Sequence, residues 1–235
     1  MKPLGYSALI RLPLLAHAID SGLDVSGFLA GRERDLWMRC VTRKRRIEFL
    51  GGRIAGKLAA NICRMAASLS PRPWTAIEIY PQENGAPLCK YDDGSCHRIS
   101  ISHSHNWAMA LACPYDQAVA IDVEDHGSSI RLQGNMFHEV ELSGIRDLAE
   151  ARVVWTLKEV CGKLTERGLQ GRPNEIISVK LFDRLWLASP SWMNVSPSTI
   201  LAAGYCGPLA VAVGFQSDSE NRIDGHQTCE SSSAS

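Results

Sequence analysis

Residues 99–125, ISISHSHNWAMALACPYDQAVAIDVED, alternate apolar and polar side chains around turn-forming residues. Alternation with a period of two predicts half-buried strands, so the stretch indicates a hairpin of RISIS and AMALAC followed by a third strand, AVAIDVE. Polar and titratable side chains gather where these strands end, with Ser102 and His103 on one strand and Asp122 and Glu124 on another. The stretch therefore predicts a sheet that carries a chemical site.

Length and composition indicate an ordinary globular protein. The chain has 235 residues and is 45% hydrophobic, enough to bury a core in one large domain or two small ones. Lysine plus arginine equals aspartate plus glutamate at 25 each, so the net charge gives no reason to expect a nucleic-acid partner.

The cysteines and the apolar segments indicate the cellular compartment. The eight cysteines include no C-x-x-C pair and mostly lie in apolar stretches, as expected in a reducing compartment. The N-terminal segment carries Arg11 and two prolines but no small-residue cleavage site, which argues against a secretory signal. Residues 185–217 lack charge, but prolines and glycines interrupt them and favour short strands over a membrane helix. We predict a cytoplasmic protein without membrane contact.

Two helical segments flank the strands. A basic stretch from about 27 to 68 shows helical periodicity and ends before two prolines, and residues 151–168 form the clearest helix, with Gly168 at its end. Strands are also predicted at 75–80, 176–183 and 209–215.

Two similar runs of strands and helices predict an α/β or α+β fold of two lobes. The boundary is expected near Pro114, giving an N-terminal lobe at 1–114 and a C-terminal lobe at 115–215. Residues 216–235 are polar and serine-rich, so we predict a disordered tail there.

Three acids form a candidate metal site. Asp122 and Glu124 lie two residues apart on a strand and share one face, which favours a hard cation such as Mg²⁺. The alternative is that both acids are solvated where the strand ends. Glu159 is the natural third ligand, on a helix face with Trp155 and Lys163, although the same spacing also suits a solvated Glu–Lys pair.

Basic residues and histidines form a candidate phosphate site. The cluster Arg43–Arg46 with Arg53 is either a solvated helix face or an anion site, because arginine offers paired donors to phosphate oxygens. His103 and His105 alternate on a strand, where an H-x-H pair could hold zinc. No third zinc ligand appears at a suitable spacing, so a phosphate contact from one histidine is favoured.

The ordered motifs resemble the Sfp-type 4′-phosphopantetheinyl transferase family. The matching stretches are RRIEFLGGRIA (45–55), SISHS (100–104), AIDVE (120–124) and WTLKEVCGK (155–163), and together they span Arg45 to Lys163. The last is the most specific, because W-x-x-K-E-x-x-x-K on a helix after a strand-borne D-x-E is a rare combination.

The resemblance implies a pseudo-twofold α/β protein of two similar lobes with its active site between them. Such an enzyme moves phosphopantetheine from coenzyme A to a serine of an apo acyl or peptidyl carrier protein and releases adenosine 3′,5′-bisphosphate. Fatty-acid, polyketide and nonribosomal peptide synthesis all use such carriers. A monomer that acts on neither nucleic acid nor membrane is expected.

The resemblance also implies roles for individual residues. Mg²⁺ would be held by Asp122, Glu124 and Glu159. Catalytic roles would fall to Asp122, Lys163 and Glu159, the last also helping to deprotonate the carrier serine. Coenzyme A would be contacted by six residues: Arg46, Arg53, Ser102, His103, Lys158 and Lys163.

Two positions depart from the family pattern. Ala120 stands where the family usually has glycine, and Ala86 stands where a phosphate-binding lysine is common. Two rival functions are a metal-dependent nuclease and a catalytically inactive module that binds coenzyme A or a carrier. The nuclease would usually need an acid-x-Lys pair that is missing after Glu124, and the inactive module predicts loss of a metal acid, whereas all three acids are present.

Overall fold

The structure is a computed structural model that describes residues 4–114, 117–127, 133–166, 168–182, 185–188 and 199–217. Its strands are β1 (Tyr6–Arg11), β2 (Ile77–Pro81), β3 (Pro87–Tyr91), β4 (Cys96–Ser104), β5 (Trp107–Pro114), β6 (Gln117–Asp125), β7 (Ser178–Phe182), β8 (Leu185–Ala188), β9 (Ile200–Cys206) and β10 (Leu209–Ser217). Its α-helices are α1 (Leu12–Asp20), α2 (Gly31–Met38), α3 (Arg43–Ala66), α4 (Glu139–Gly144) and α5 (Leu148–Leu164). Short 3₁₀ turns occupy Val25–Phe28, Trp74–Ala76, Gly134–Met136 and Pro173–Glu175.

Two antiparallel sheets of five strands repeat one topology. The first has the order β1-β5-β4-β3-β2 and the second β6-β10-β9-β8-β7, so each sheet follows the same path when its strands are counted from its own first strand. We call the parts built on these sheets the N-terminal half (6–114) and the C-terminal half (117–217). The predicted mixed fold of two similar lobes is confirmed.

The helix α3 covers the first sheet. Thr42 caps its N-terminus by accepting the N–H of Arg45, and the N-cap divides the basic stretch that the sequence predicts as one helix into α2 and α3. Small residues on its inner face let it lie close to the sheet, since a Cβ at Gly56 would come within 2.6 Å of Ile79. Ala55 and Ala59 are fully buried against the strands.

The helix α5 covers the second sheet. Asp147 caps its start, and the predicted apolar stripe of Val153, Leu157 and Val160 is fully buried, as expected. The helix ends at Leu164 rather than at the predicted Gly168, whose N–H returns to the carbonyl of Gly162 at 3.0 Å. The chain therefore turns back on the helix earlier than the sequence periodicity suggests.

The last strand runs into the segment assigned to the tail. Gln216 and Ser217 pair with Ala118 and Gln117, so the first two residues of the predicted tail belong to β10. The remainder, 218–235, lies outside the described residues. In the part of the chain that the structure describes, no helix is long and apolar enough to cross a bilayer.

A buried lysine–glutamate pair recurs in each half. In the N-terminal half, Lys57 on α3 pairs with Glu33, whose carboxylate accepts the backbone N–H groups of Ala30 and Ile79. In the C-terminal half, Lys158 on α5 pairs with Glu141 in the same way, and Glu141 accepts the N–H groups of His138 and Ser178. All four charged side chains are fully buried.

Serine side chains join the two halves. The strand β6 is an edge strand of its sheet and lies beside β4 of the other sheet. Three hydroxyl groups on β4 accept backbone N–H groups of β6: Ser100 from Ile121 at 3.0 Å, Ser102 from Val123 at 3.3 Å and Ser104 from Asp125 at 2.8 Å. We call Ser100, Ser102 and Ser104 the serine comb.

Candidate functional site

A cleft of about 320 Å³ lies between the two halves. The β2–β3 hairpin forms one wall, and α5 with the turn after it forms the other. Its lining includes Asn84, Ala86, Pro87, Glu159, Gly162 and Lys163. Asn84 donates a hydrogen bond of 2.6 Å to the exposed Glu166, so a side-chain contact joins the two walls.

Asp122 is buried at the junction of the halves, and its two carboxylate oxygens differ. Oδ1 accepts hydrogen bonds of 2.7 Å from both Ser102 Oγ and Lys163 Nζ. Oδ2 is buried, and among the described residues it has no hydrogen-bond partner. A buried carboxylate oxygen without a donor is costly, so the geometry leaves one oxygen available to a cation.

Glu124 and Glu159 lie near Asp122 and complete the set of acids. Glu124 accepts a hydrogen bond of 2.8 Å from Ser104. Burial raises the pKa of Glu159, and the negative charges of Asp122 and Glu124 raise it further, whereas Lys163 opposes them. The three acids thus share one electrostatic environment, in which a divalent cation would relieve their repulsion.

The acids do not form a preassembled metal centre. Within the described ranges, no group of three histidine, cysteine, aspartate or glutamate side chains is arranged to hold a metal ion. The donor set nevertheless fits a hard cation, because it consists of carboxylates and includes the unpartnered Oδ2 of Asp122.

The two lysines of the WTLKEVCGK motif have different environments. Lys163 has a partly exposed side chain, lines the cleft, and also donates to the carbonyl oxygen of Ile121 at 2.8 Å. Lys158 is fully buried, and its ammonium is bound to Glu141 and to the carbonyl oxygens of Pro173 and Ile176. The expectation that Lys158 contacts coenzyme A is wrong for this structure, because all three of its donors are used inside the fold.

His103 lies against α3 with a buried ring nitrogen. Its Nε2 atom has no hydrogen-bond partner among the described residues, and a Cβ on Gly52 would lie only 2.5 Å from it. Burial lowers the pKa of His103 to about 4, with smaller contributions from the charges of Arg45, Arg53 and Lys163, while a hydrogen bond with the Glu48 backbone opposes them. The neutral ring presents Nε2 as an acceptor, so His103 could donate to an anionic ligand only when protonated, which the negative charge of that ligand would favour.

His105 does not share the strand position predicted for it. The strand β4 ends at Ser104, and His105 follows in an exposed turn with φ of +34°. The H-x-H zinc alternative therefore loses its geometric basis, because the two rings do not alternate on one strand.

The arginines of the basic cluster point to different places. Arg46 donates to the carbonyl oxygen of Cys40 at 2.9 Å and lies over the Trp37 ring, so its guanidinium is held in the α2–α3 connection. Arg53 is largely buried, stacks on Phe49 and lies 3.4 Å from Glu33. Arg45 is exposed, and its charge acts on His103. Arg45 lies 3.8 Å from Glu48, and its charge contributes to lowering the pKa of His103, whereas the coenzyme A contact expected of Arg46 stays a prediction.

Ser102 does not direct its hydroxyl hydrogen towards a phosphate in this structure. A hydroxyl has one hydrogen to donate, and that of Ser102 goes to Asp122. Sequence reasoning missed Ser104, which makes the equivalent bond to Glu124. Its alternation with Ser102 was the available signal, but a strand pattern alone does not identify the strand that faces it.

Carboxylates and a lysine lining one cleft are compatible with an enzyme that transfers phosphorus-containing groups. No family model matches the chain. The holo-[acyl-carrier-protein] synthase of Halalkalibacterium halodurans is 30% identical over 87 residues, which cover 37% of this chain and 71% of the relative.

Two solved structures also have similar parts. The Bacillus anthracis holo-(acyl-carrier-protein) synthase in complex with CoA (3′,5′-ADP) is 23% identical, with a TM-score of 0.39, over 47% of this chain and 96% of that one. The Helicobacter pylori holo-[acyl-carrier-protein] synthase in complex with coenzyme A is 17% identical, with a TM-score of 0.38, over 46% and 97% of the two chains.

The match to the Halalkalibacterium halodurans synthase has 30% identity and covers more than two thirds of that protein, which identifies the family. The chain belongs to the holo-[acyl-carrier-protein] synthase family of phosphopantetheinyl transferases. The Sfp-type family suggested by the sequence motifs is part of the same superfamily.

Proposed function

We propose that this chain transfers the 4′-phosphopantetheine group of coenzyme A to a serine of an apo acyl or peptidyl carrier protein. The serine oxygen would form a bond to the phosphorus that carries the pantetheine. The bond from that phosphorus to the bridging oxygen of the pyrophosphate would break, and adenosine 3′,5′-bisphosphate would leave with the bonding electrons. The serine proton would pass to a base, for which the resemblance suggests Glu159.

The observation that carries this proposal is the shared position of Lys163. Its ammonium is bonded to Asp122, and its charge also lowers the pKa of His103. Asp122 and His103 therefore both lie within the electrostatic reach of a lysine that lines the cleft. A pyrophosphate placed there would meet the Lys163 ammonium, and the His103 ring could donate to it after taking up a proton, which the negative charge would favour.

We propose that Asp122, Glu124 and Glu159 hold Mg²⁺ when substrate is bound. The cation would neutralise charge on the pyrophosphate as its bond breaks. Lys163 would leave its ion pair with Asp122 in part and present an N–H to a phosphate oxygen. Support comes from the unpartnered Oδ2 of Asp122 and from the proximity of the three acids.

The phosphate contacts differ from those implied by the resemblance alone. We propose His103, Arg45 and Lys163 as contacts to coenzyme A, with Arg53 supporting them from its buried position. Ala86 lines the cleft without a charge, so this wall supplies no lysine at the position common in the family.

The carrier-protein partner and the assembly state are also proposals. Both walls of the cleft come from the same chain, so a monomer has a complete cleft, and light scattering of the purified protein would test this. A cytoplasmic location would place the enzyme with coenzyme A and its carriers.

The test of function is direct modification of a carrier. The full chain is incubated with coenzyme A, Mg²⁺ and a panel of apo carrier proteins, and the intact carriers are weighed by mass spectrometry. We expect one carrier to gain the mass of one phosphopantetheine group, with adenosine 3′,5′-bisphosphate appearing in equal amount. A folded enzyme that modifies no carrier, and releases no bisphosphate, contradicts the proposal.

A further inference from the structure

The outer edge of β6 is satisfied by side chains instead of by a neighbouring strand. The outward N–H groups of Ile121, Val123 and Asp125 donate to the serine comb. Strand β4 is already paired with β3 and β5, so it reaches β6 with hydroxyl groups rather than with its backbone. The period of two along both strands places one serine at each outward N–H.

The comb has a fixed register with the side chains of β6. Each serine oxygen of the comb accepts the N–H of a β6 residue and also lies beside the side chain of the preceding β6 residue. At Asp122 and Glu124 the hydroxyl hydrogen reaches a carboxylate oxygen, from Ser102 at 2.7 Å and from Ser104 at 2.8 Å. At Ser100 the corresponding residue is Ala120, whose side chain has no acceptor.

The backbone bond and the carboxylate together orient each hydroxyl. The hydroxyl hydrogen rotates about the Cβ–Oγ bond, and because the N–H approaches one lone pair of the oxygen, the hydrogen points away from it and towards the nearby carboxylate. For Asp122, the bonds from Ser102 and Lys163 occupy Oδ1, and Oδ2 is left buried without a donor. The bonds from Ser102 and Lys163 thus determine which carboxylate oxygen of Asp122 a cation can bind.

We propose that Ser102 and Ser104 are positioning residues that orient Asp122 and Glu124 for a divalent cation, whereas Ser100 only joins the strands. This inference rests on the proposed function, since it assumes that these acids hold the metal. Groups that hydrogen-bond to metal ligands change metal affinity by about 10-fold or more when removed. Ser104, which is buried and does not line the cleft, is the clearest test.

The experiment compares three serines that make the same backbone bond. Ser100→Ala, Ser102→Ala, Ser104→Ala and Ser104→Thr are made in the full chain, and Mn²⁺ binding is titrated by electron paramagnetic resonance with saturating coenzyme A. Circular dichroism and thermal unfolding show that each variant is folded. The Mg²⁺ dependence of turnover is measured in parallel with one apo carrier.

We expect all three alanine variants to lose thermal stability, because each leaves one strand N–H without its acceptor, and Ser102→Ala and Ser104→Ala to lose somewhat more because a carboxylate also loses a donor. The Mn²⁺ dissociation constant should rise about 10-fold in Ser102→Ala and Ser104→Ala but not in Ser100→Ala, and Ser104→Thr should behave as wild type because it keeps the hydroxyl. Turnover should fall in Ser104→Ala with little change in the KM for coenzyme A.

Two outcomes overturn the inference for different reasons. Equal Mn²⁺ affinity in Ser100→Ala and Ser104→Ala would mean that the comb acts only on the strand, although the metal site would stand. A folded wild-type chain that binds no Mn²⁺ with coenzyme A would remove the metal site itself, and the inference with it. Carrier modification by that same chain would show that transfer activity does not depend on this metal assignment.

Discussion

At the scale of single residues, Asp122 combines a structural and a chemical position. Its Oδ1 joins the halves through Ser102 and joins β6 to α5 through Lys163, while its Oδ2 has no donor among the described residues. A carboxamide in its place keeps the size and part of the hydrogen bonding but loses the negative charge. Replacing Asp122 by asparagine therefore tests the effect of its charge while its packing is kept.

Asp122→Asn should lower turnover by about 100-fold or more while the protein stays folded, because stabilisation of the developing phosphate charge depends on the carboxylate. Steady-state turnover with one apo carrier, together with thermal unfolding, measures both properties. Asp35→Asn, at an exposed position on α2, is the matched control. Equal and mild losses in the two variants would place the chemistry elsewhere.

His103 gives a prediction for the pH dependence of stability. Its pKa in the folded protein, about 4, lies below the ordinary value of 6.5, chiefly because burial disfavours the charged ring. The neutral ring stabilises the fold fully above about pH 6.5, and this contribution is lost as the pH falls towards 4. Near pH 4.5 the loss from His103 should be roughly 2–3 kcal/mol.

His103→Gln should therefore lose less unfolding free energy than wild type between about pH 7 and pH 4.5, as measured by urea unfolding at each pH. His97, whose pKa burial also lowers to about 4, remains in both proteins and leaves a common slope. Parallel curves for wild type and variant would mean that the His103 ring is already charged or solvated in the folded state.

At the scale of elements, the turn after α5 depends on the absence of a side chain at Gly162. A Cβ there would lie 2.9 Å from the backbone carbon of Gly168, closer than real contacts allow. The glycine is needed because the chain folds back over the helix end, where Glu166 and Gly168 both take positive φ. This close approach brings the turn onto the cleft wall that contains Lys163.

Gly162→Ala should destabilise the protein by about 1–3 kcal/mol, although alanine is the better helix former, because the backbone of the turn must move. Denaturant unfolding measures the change. Gly31→Ala is the matched control, since a Cβ at that helical position meets nothing within 4 Å, and it should be neutral or stabilising. A stabilised Gly162→Ala variant would show that the turn is not packed on the helix.

The elements also show what could be predicted from the sequence. Strand alternation and the apolar stripe of α5 are local patterns, so β4, β5, β6 and α5 were predictable within a few residues. The burial of Lys158 was not, because Glu141 and the carbonyl groups that bind it come from segments that only the tertiary fold brings over that helix face. The hydrogen bonds of the serine comb could not be predicted either, because the sequence does not show that β4 of one sheet lies beside β6 of the other.

At the scale of the whole molecule, the two halves share a scaffold but not a site. The strand β1 pairs with β5, and β6 pairs with β10 in the same way. When positions are counted along β5 and β10 from the turn that precedes each, Ala8 and Ile10 of β1 lie opposite the same positions as Asp122 and Glu124 of β6. The buried lysine–glutamate pair, in contrast, is present in both halves. The repeated pair therefore belongs to the shared fold, whereas the acids, proposed as metal ligands, occur in one half.

Lys57→Met and Lys158→Met should each destabilise the protein by about 3–5 kcal/mol, since each leaves a buried carboxylate without its partner. Denaturant unfolding should give similar losses for the two variants, and exposed Lys44→Met should change little. If Lys158→Met kept its stability and lost only coenzyme A affinity, Lys158 would contact the substrate after all.

The serine comb has a consequence for how this protein behaves at high concentration. An open strand edge is a template on which a second molecule can add a strand, and this is a common start of aggregation. The outward N–H groups of Ile121, Val123 and Asp125 are taken by hydroxyl groups of the same chain, so along these residues an incoming strand finds no free donor. The same junction that orients Asp122 and Glu124 thereby also protects the edge of β6 from pairing with a second molecule.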